Sequence, residues 1–129
     1  MILIDTSIWI DYFKGKDNAL PLNHLIDSNK ICITDLILTE LLPSINHKKE
    51  YELKELILSV EKIELDIDWD DIMNMQLYNY QNRINNVGIP DLIIVQNVIK
   101  NGLSLFASDK HLSLMSEIFG FKLYKGEFA

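Results

Sequence analysis

The sequence predicts an α/β domain: a parallel sheet with helices on both faces. Two observations carry that expectation. Short apolar runs alternate along the chain with segments whose apolar residues recur at helical spacing, and strand–helix alternation builds parallel sheets with right-handed crossovers. Glycine and proline are few and scattered, five and three among 129 residues. With no linker, repeat or low-complexity segment, residues 1–129 read as one domain, as ~100–200 residues per domain would have it.

The elements follow in order. Ile2-Leu3-Ile4 reads as a short buried strand. Ser7 to Phe13 reads as a helix capped by Ser7 or Thr6 and closed by Gly15. A short helix covers Ala19–Ser28, and Ile31-Cys32-Ile33 is a second strand. Thr34 caps a helix from Asp35 to about Ile45. Within 49–60, Leu53, Leu56, Ile57 and Val60 fall at i, i+3, i+4 and i+7, an amphipathic helix. Ile63-Glu64-Leu65 is the third strand candidate. Trp69, Met73, Leu77, Tyr80 and Ile84 form one stripe of a long helix. Pro90 sits just inside a further helix that is apolar almost all round, from Leu92 to Ile99, and Gly102 ends it. Leu103 to Ala107 is a fourth strand. Asp109 to Ile118 is a helix stopped near Gly120, and Phe121 to Tyr124 is a last strand.

Composition excludes several classes. Hydrophobic residues at 48% and charged residues at 24% are a globular balance, not a disordered one. A single cysteine, Cys32, forbids an intrachain disulfide and reads as a small core residue. The N-terminus has no basic stretch and its apolar run is broken by Asp5, so it does not read as a signal peptide. No apolar run approaches the ~18 residues of a membrane helix. The expectation is a soluble, cytoplasmic protein with no membrane partner. The net charge of −7 disfavours nucleic-acid binding through phosphate contacts alone, unless the negative charge is concentrated where cations sit.

Four carboxylates fit that exception. In a doubly wound sheet, ligands bind at the carboxyl ends of the strands where strand order reverses. Asp5 directly follows the first strand, and Asp109 comes just after the fourth. A helix N-cap is the ordinary alternative for each. Glu40 shares a helix face with Leu36, Ile37, Leu41 and Ser44, and Asp91 opens the most apolar helix. A carboxylate on an apolar face is costly unless paired or bound to a cation. The ordinary alternatives are a boundary position reaching water for Glu40 and dipole complementation for Asp91. The chain has one arginine, Arg83, and no lysine flanks Asp5, Glu40 or Asp91. Clustered acids with few basic partners call for hard divalent cations, Mg²⁺ or Mn²⁺. His24, His47 and His111 are isolated and read as surface or packing residues. Trp9 and Trp69 read as core or interface anchors, and Lys48-Lys49 as a solvated helix start.

These residues resemble the PIN-domain ribonucleases, in particular the VapC-type toxins of bacterial toxin–antitoxin modules. The opening Ile2-Leu3-Ile4-Asp5-Thr6-Ser7-Ile8-Trp9-Ile10-Asp11-Tyr12 is similar to the family's first block. Thr34 to Leu42, with Glu40, resembles the second. Gly88-Ile89-Pro90-Asp91-Leu92-Ile93-Ile94, Asn101-Gly102-Leu103 and Ser108-Asp109-Lys110-His111-Leu112 resemble the later ones. The resemblance implies a three-layer α/β/α sandwich with about five parallel strands in the order 3-2-1-4-5. It implies that Asp5, Glu40, Asp91 and Asp109 are the catalytic residues and ligands of one or two Mg²⁺ or Mn²⁺ ions. Thr6, Ser7 and Ser108 would support them, while Asp11 reads as structural. One departure is Ala107, where the family often carries Thr or Ser. The implied activity is endoribonucleolytic, hydrolysing RNA phosphodiester bonds by metal-activated water. The implied partners are RNA, a cognate antitoxin protein and a second copy of the chain. The alternative is a catalytically silent PIN-like scaffold that binds RNA or protein. A haloacid-dehalogenase-like phosphatase would need an Asp where Ser7 stands, and a response-regulator receiver would need an acidic pair near the first strand.

Overall fold

A computed structural model describes residues 1–125. Its sheet consists of β1 (Ile2–Ile4), β2 (Ile31–Ile33), β3 (Glu61–Lys62), β4 (Ser104–Phe106) and β5 (Lys122–Leu123), in the order β3-β2-β1-β4-β5. Every pairing is parallel: Leu3 lies opposite both Cys32 and Leu105, Ile33 opposite Lys62, and Leu105 opposite Leu123. Leu3, Ile4, Cys32 and Leu105 are wholly inaccessible, so the sheet is covered on both faces, as parallel sheets require. The winding reverses between β1 and β4, which makes their carboxyl ends the switch point.

The helices are α1 (Thr6–Phe13), α2 (Pro21–Asp27), α3 (Asp35–His47), α4 (Tyr51–Ser59), α5 (Trp69–Gln81), α6 (Ile89–Lys100) and α7 (Lys110–Phe119). Right-handed crossovers put α1 to α4 on one face and α5 to α7 on the other. Tyr78 of α5 meets Phe119 of α7 edge-on at 5.4 Å. Helix α6 is the most deeply set: Leu92, Val95 and Val98 are fully buried and Ile94 nearly so. It is not wholly apolar, since Gln96 and Asn97 are also buried. These two amides fasten the 63–68 connection. Asn97 Oδ1 accepts the Asp66 N–H at 2.9 Å, and Gln96 bonds the Asp68 backbone and Asp71 Oδ2.

Several expectations shift. Helix α1 begins at Thr6 and its cap is Asp5, not Thr6 or Ser7. The 19–28 helix is a 3-10 turn, Asp17–Ala19, followed by α2. Helix α3 continues through Pro43 to His47, so Lys48 ends it and Lys49 takes a left-handed φ of 57°. The third strand is Glu61–Lys62, two residues earlier than the expected Ile63-Glu64-Leu65. An exposed edge strand has no apolar requirement, and backbone pairing to β2 decides its register. The Trp69–Met73–Leu77–Tyr80 part of the expected stripe faces outward, Ile84 lies beyond the helix end at Gln81 and is buried, and α5 seats Ile72, Met75 and Asn79 instead. Helix α7 ends at Gly120, whose φ of 76° suits a residue without a Cβ.

Candidate functional site

The first site residue stands where β1 stops. The Asp5 N–H still bonds Phe106 O at 2.9 Å, extending the β1–β4 ladder. The Asp5 side chain then turns to cap α1. Its Oδ2 accepts the Ser7 N–H at 3.2 Å and the Ser7 hydroxyl at 2.6 Å. On the neighbouring strand end, Asp109 caps α7, with Oδ1 accepting from the His111 and Leu112 N–H groups at 2.7 and 3.2 Å. Both acids therefore fill the ordinary cap role, and the caps hold them at the carboxyl edge of the sheet.

Helix α3 brings Glu40. The fully buried Thr34 caps this helix by accepting the Ile37 N–H. Glu40 itself is exposed, contrary to the apolar-face reading. It meets the site through Thr6, whose hydroxyl donates to Glu40 Oε1 at 3.0 Å. Asp91 lies in the first turn of α6, half-buried behind the uncapped Gly88. Burial is the main reason its carboxyl rises from 3.8 to about 6. The negative charges of Asp5, Asp109 and Glu40 push it further the same way, and His111 pulls it down. One aspartate thus feels the field of the other three acids.

The carboxylates share a field without closing on a point. Among the described residues, no three His, Cys, Asp or Glu side chains converge closely enough to hold a metal ion. Asp5, Asp109 and Glu40 each turn one oxygen to a hydroxyl or a helix amide. Their second oxygens carry no hydrogen bond among the described residues. An all-oxygen donor set of excess negative charge fits a hard divalent cation rather than zinc.

The other candidates fall into place around this edge. Ser108 is exposed and makes no hydrogen bond to an acid; it lines a cavity on the outer side of Asp109. Asp11 accepts from Asn18 Nδ2 at 2.8 Å and pairs with Lys16 at 3.6 Å, which ties α1 to the turn after it. The Asn18 hydrogen bond is the main reason its carboxyl lies below the ordinary range. His111, read from sequence as isolated, lies at the site with Nδ1 3.5 Å from Asp109 Oδ1. Its spacing from Asp109 at the start of a helix was the available signal. Cys32 is buried in β2, and burial pushes its thiol up to about 11, so it is inert. Trp9 is core, packed on Phe13 with ring centres 5.9 Å apart, while Trp69 is exposed.

Comparison with known proteins follows this geometry. A chain in the DNA-bound VapBC2 structure from Rickettsia felis superposes with a TM-score of 0.73 at 20% identity, covering 96% of this chain and 98% of that one. DNA-bound VapBC from Salmonella typhimurium gives 0.75 at 15% identity, covering 97% of each chain. VapC20 of Mycobacterium tuberculosis, described as a sarcin–ricin loop cleaving toxin, gives 0.65 at 16%, covering 97% and 99%. These likenesses are of fold. No curated protein matches the sequence. The PIN domain family model matches residues 2–118, and the chain belongs to that family.

Proposed function

We propose that this chain is a Mg²⁺- or Mn²⁺-dependent endoribonuclease and the toxin of a toxin–antitoxin pair. The observation that carries the reading is the gathering of Asp5, Glu40, Asp91 and Asp109 at the switch point, with three of them raising the proton affinity of the fourth. VapC20, similar in fold, is described as a sarcin–ricin loop cleaving toxin, and a further solved neighbour, from Klebsiella pneumoniae, is described as a toxin–antitoxin complex.

The four carboxylates would hold one or two ions, and the cation would offset their mutual repulsion. When bound, such an ion lowers the pKa of a water and stabilises charge on a phosphodiester. Ser7 and Thr6 orient Asp5 and Glu40 through their hydroxyls. The first turn of α6 carries Asp91 and the N-cap of α7 holds Asp109.

The proposed antitoxin is a basic peptide that places Arg or Lys near Glu40 and Asp91. Such a peptide would enter by a groove of about 440 Å³ between α1, α3 and α4, where Glu40 and Glu50 stand with Lys14, Lys48 and the apolar Ile10, Phe13, Leu41 and Leu53. A homodimer is proposed as well, acting in the cytoplasm with residues 1–129 as one domain.

The rival reading, a silent scaffold, draws on the unconverged carboxylates. One experiment decides: incubate purified protein with structured RNA and Mn²⁺, with and without excess EDTA. Cleavage lost in EDTA is expected. Full cleavage in EDTA would exclude the metal-dependent reading, and none with Mn²⁺ would favour the scaffold.

A further inference from the structure

A second cavity, also about 440 Å³, lies on the outer side of Asp109. The sheet register puts it there: Leu105 pairs with Leu123, so Tyr124 follows β5 at the same carboxyl edge that Phe106 reaches on β4. The Tyr124 N–H bonds Leu105 O at 2.8 Å and its ring meets Phe106 edge-on at 5.1 Å. Ser108 and Asp109 form the wall nearest the acids, and Asn18 lines the cavity from the turn after α1. Asn18 is already oriented by its bond to Asp11, which engages the amide nitrogen and leaves the carbonyl as an acceptor.

The charge balance differs from that of the groove beside Glu40: there Glu40 and Glu50 offset Lys14 and Lys48, whereas here Asp109 alone stands among the lining residues against Lys110 and Lys125. Here Lys110 and Lys125 stand at the wall, exposed and without a carboxylate partner among the described residues. Cations, hydroxyls, an amide and an aromatic ring together are the chemistry of a nucleotide site. Bases stack on aromatic rings, phosphates seek lysine, and amides and hydroxyls read base edges. The volume lies in the lower part of the ~300–1,000 Å³ range of small-molecule pockets, the scale of one nucleotide and far below a duplex.

We propose that this cavity receives one unstacked nucleotide of a single-stranded RNA, its base against Tyr124 and its phosphate toward Lys110 and Lys125. Resting on the nuclease reading, the assignment names the cavity as the flanking-nucleotide subsite. It places the scissile phosphate over the carboxylates and the next nucleotide beyond Asp109. A base held in a helix cannot enter, so the site selects loops and open strands.

The test is fluorescence anisotropy with a labelled, mixed-sequence, single-stranded RNA of ~12 nucleotides, within the span of known single-strand sites, in calcium buffer. Tyr124→Leu should weaken binding about tenfold, the scale of one lost base stack. Tyr124→Phe, which keeps the ring, should bind like the parent, and a melting temperature of Tyr124→Leu equal to the parent's shows that its defect is not lost packing on Phe106. Lys110→Ala and Lys125→Ala should each flatten the salt dependence by about one charge. A duplex of the same sequence should compete poorly. Unchanged binding by Tyr124→Leu, or a duplex that binds as tightly, overturns the subsite. So does a Tyr124→Leu defect confined to capture of a basic peptide. Cleavage of the same oligonucleotide with Mn²⁺ separates the two readings. Cleavage with no Tyr124 effect on binding removes only the subsite, whereas Tyr124-dependent binding without cleavage removes only the nuclease.

Discussion

Asp91 carries the largest electrostatic load of the four acids. Its carboxyl has a folded pKa of about 6 against an ordinary 3.8, raised by burial and by three neighbouring carboxylates. Below about pH 3 the group is neutral whether the chain is folded or not, and it costs nothing. As pH rises toward 6 the unfolded chain gives up this proton while the folded one retains it, so metal-free stability falls and stays lower at neutral pH. Asp91→Asn removes the titration. In EDTA at pH 7.5 the variant should be more stable by about 1 kcal/mol, a value discounted for partial exposure, and equal to the parent near pH 3. Cleavage should fall at least about a hundredfold, the scale of losing a charged group that acts in the transition state. Thermal melts at the two pH values check the first statement. A markedly lower melting temperature for Asp91→Asn in EDTA would assign Asp91 to helix capping alone. Sequence made Asp91 visible because a carboxylate opened an apolar helix. It left Glu40 open between an apolar face and a boundary reaching water, because an exposed glutamate and a buried one have the same pattern when the flanking helix is unknown; the structure gives the exposed position.

Helix starts and sheet edges account for the rest of what was and was not legible. The Asp109 oxygen that caps α7 performs a local task, and the candidate ligand role is separate. Asn caps as well as Asp, and Ala does not. Asp109→Asn should therefore keep the melting temperature while abolishing cleavage, and Asp109→Ala should lose about 1 kcal/mol in addition. Equal activity of Asp109→Asn and the parent would leave only the cap. Strands β1, β2 and β4 were legible because central strands must be apolar, whereas β3 is two exposed residues paired through backbone alone. On α5 two apolar faces compete: Ile72 and Met75 go inward, and Trp69, Met73, Leu77 and Tyr80 stay exposed. Periodicity finds a helix but not which face is inside. If that outer stripe seats the proposed second copy, Leu77→Glu should convert a dimer to a monomer in light scattering and remove the concentration dependence of the melting temperature. A parent that is monomeric at all concentrations would remove the homodimer.

At the scale of the molecule, the bond chemistry follows from which groups the topology gathers. RNA can be cut by its own 2′-hydroxyl, a route that relies on a general acid and base such as paired histidines. It can also be cut by water activated at a cation, which needs carboxylates. The doubly wound order brings the ends of β1 and β4 together, and with them Asp5 and Asp109; α3 and α6 add Glu40 and Asp91. That order and its switch point were readable from strand–helix alternation together with the family resemblance, since the position of the reversal decides which loops meet. His111 is the one histidine at this edge, and it faces a carboxylate rather than a second imidazole. A single imidazole cannot serve as acid and base at once on opposite sides of a phosphate. The carboxylate route is therefore the expected one, and the products should carry 5′-phosphate and 3′-hydroxyl ends. A 2′-deoxy substitution at the cut position should leave the chemical step intact and slow cleavage only through binding. Ligation-based end mapping of the fragments reads this directly, and 2′,3′-cyclic phosphate ends would overturn the water route while leaving the fold untouched.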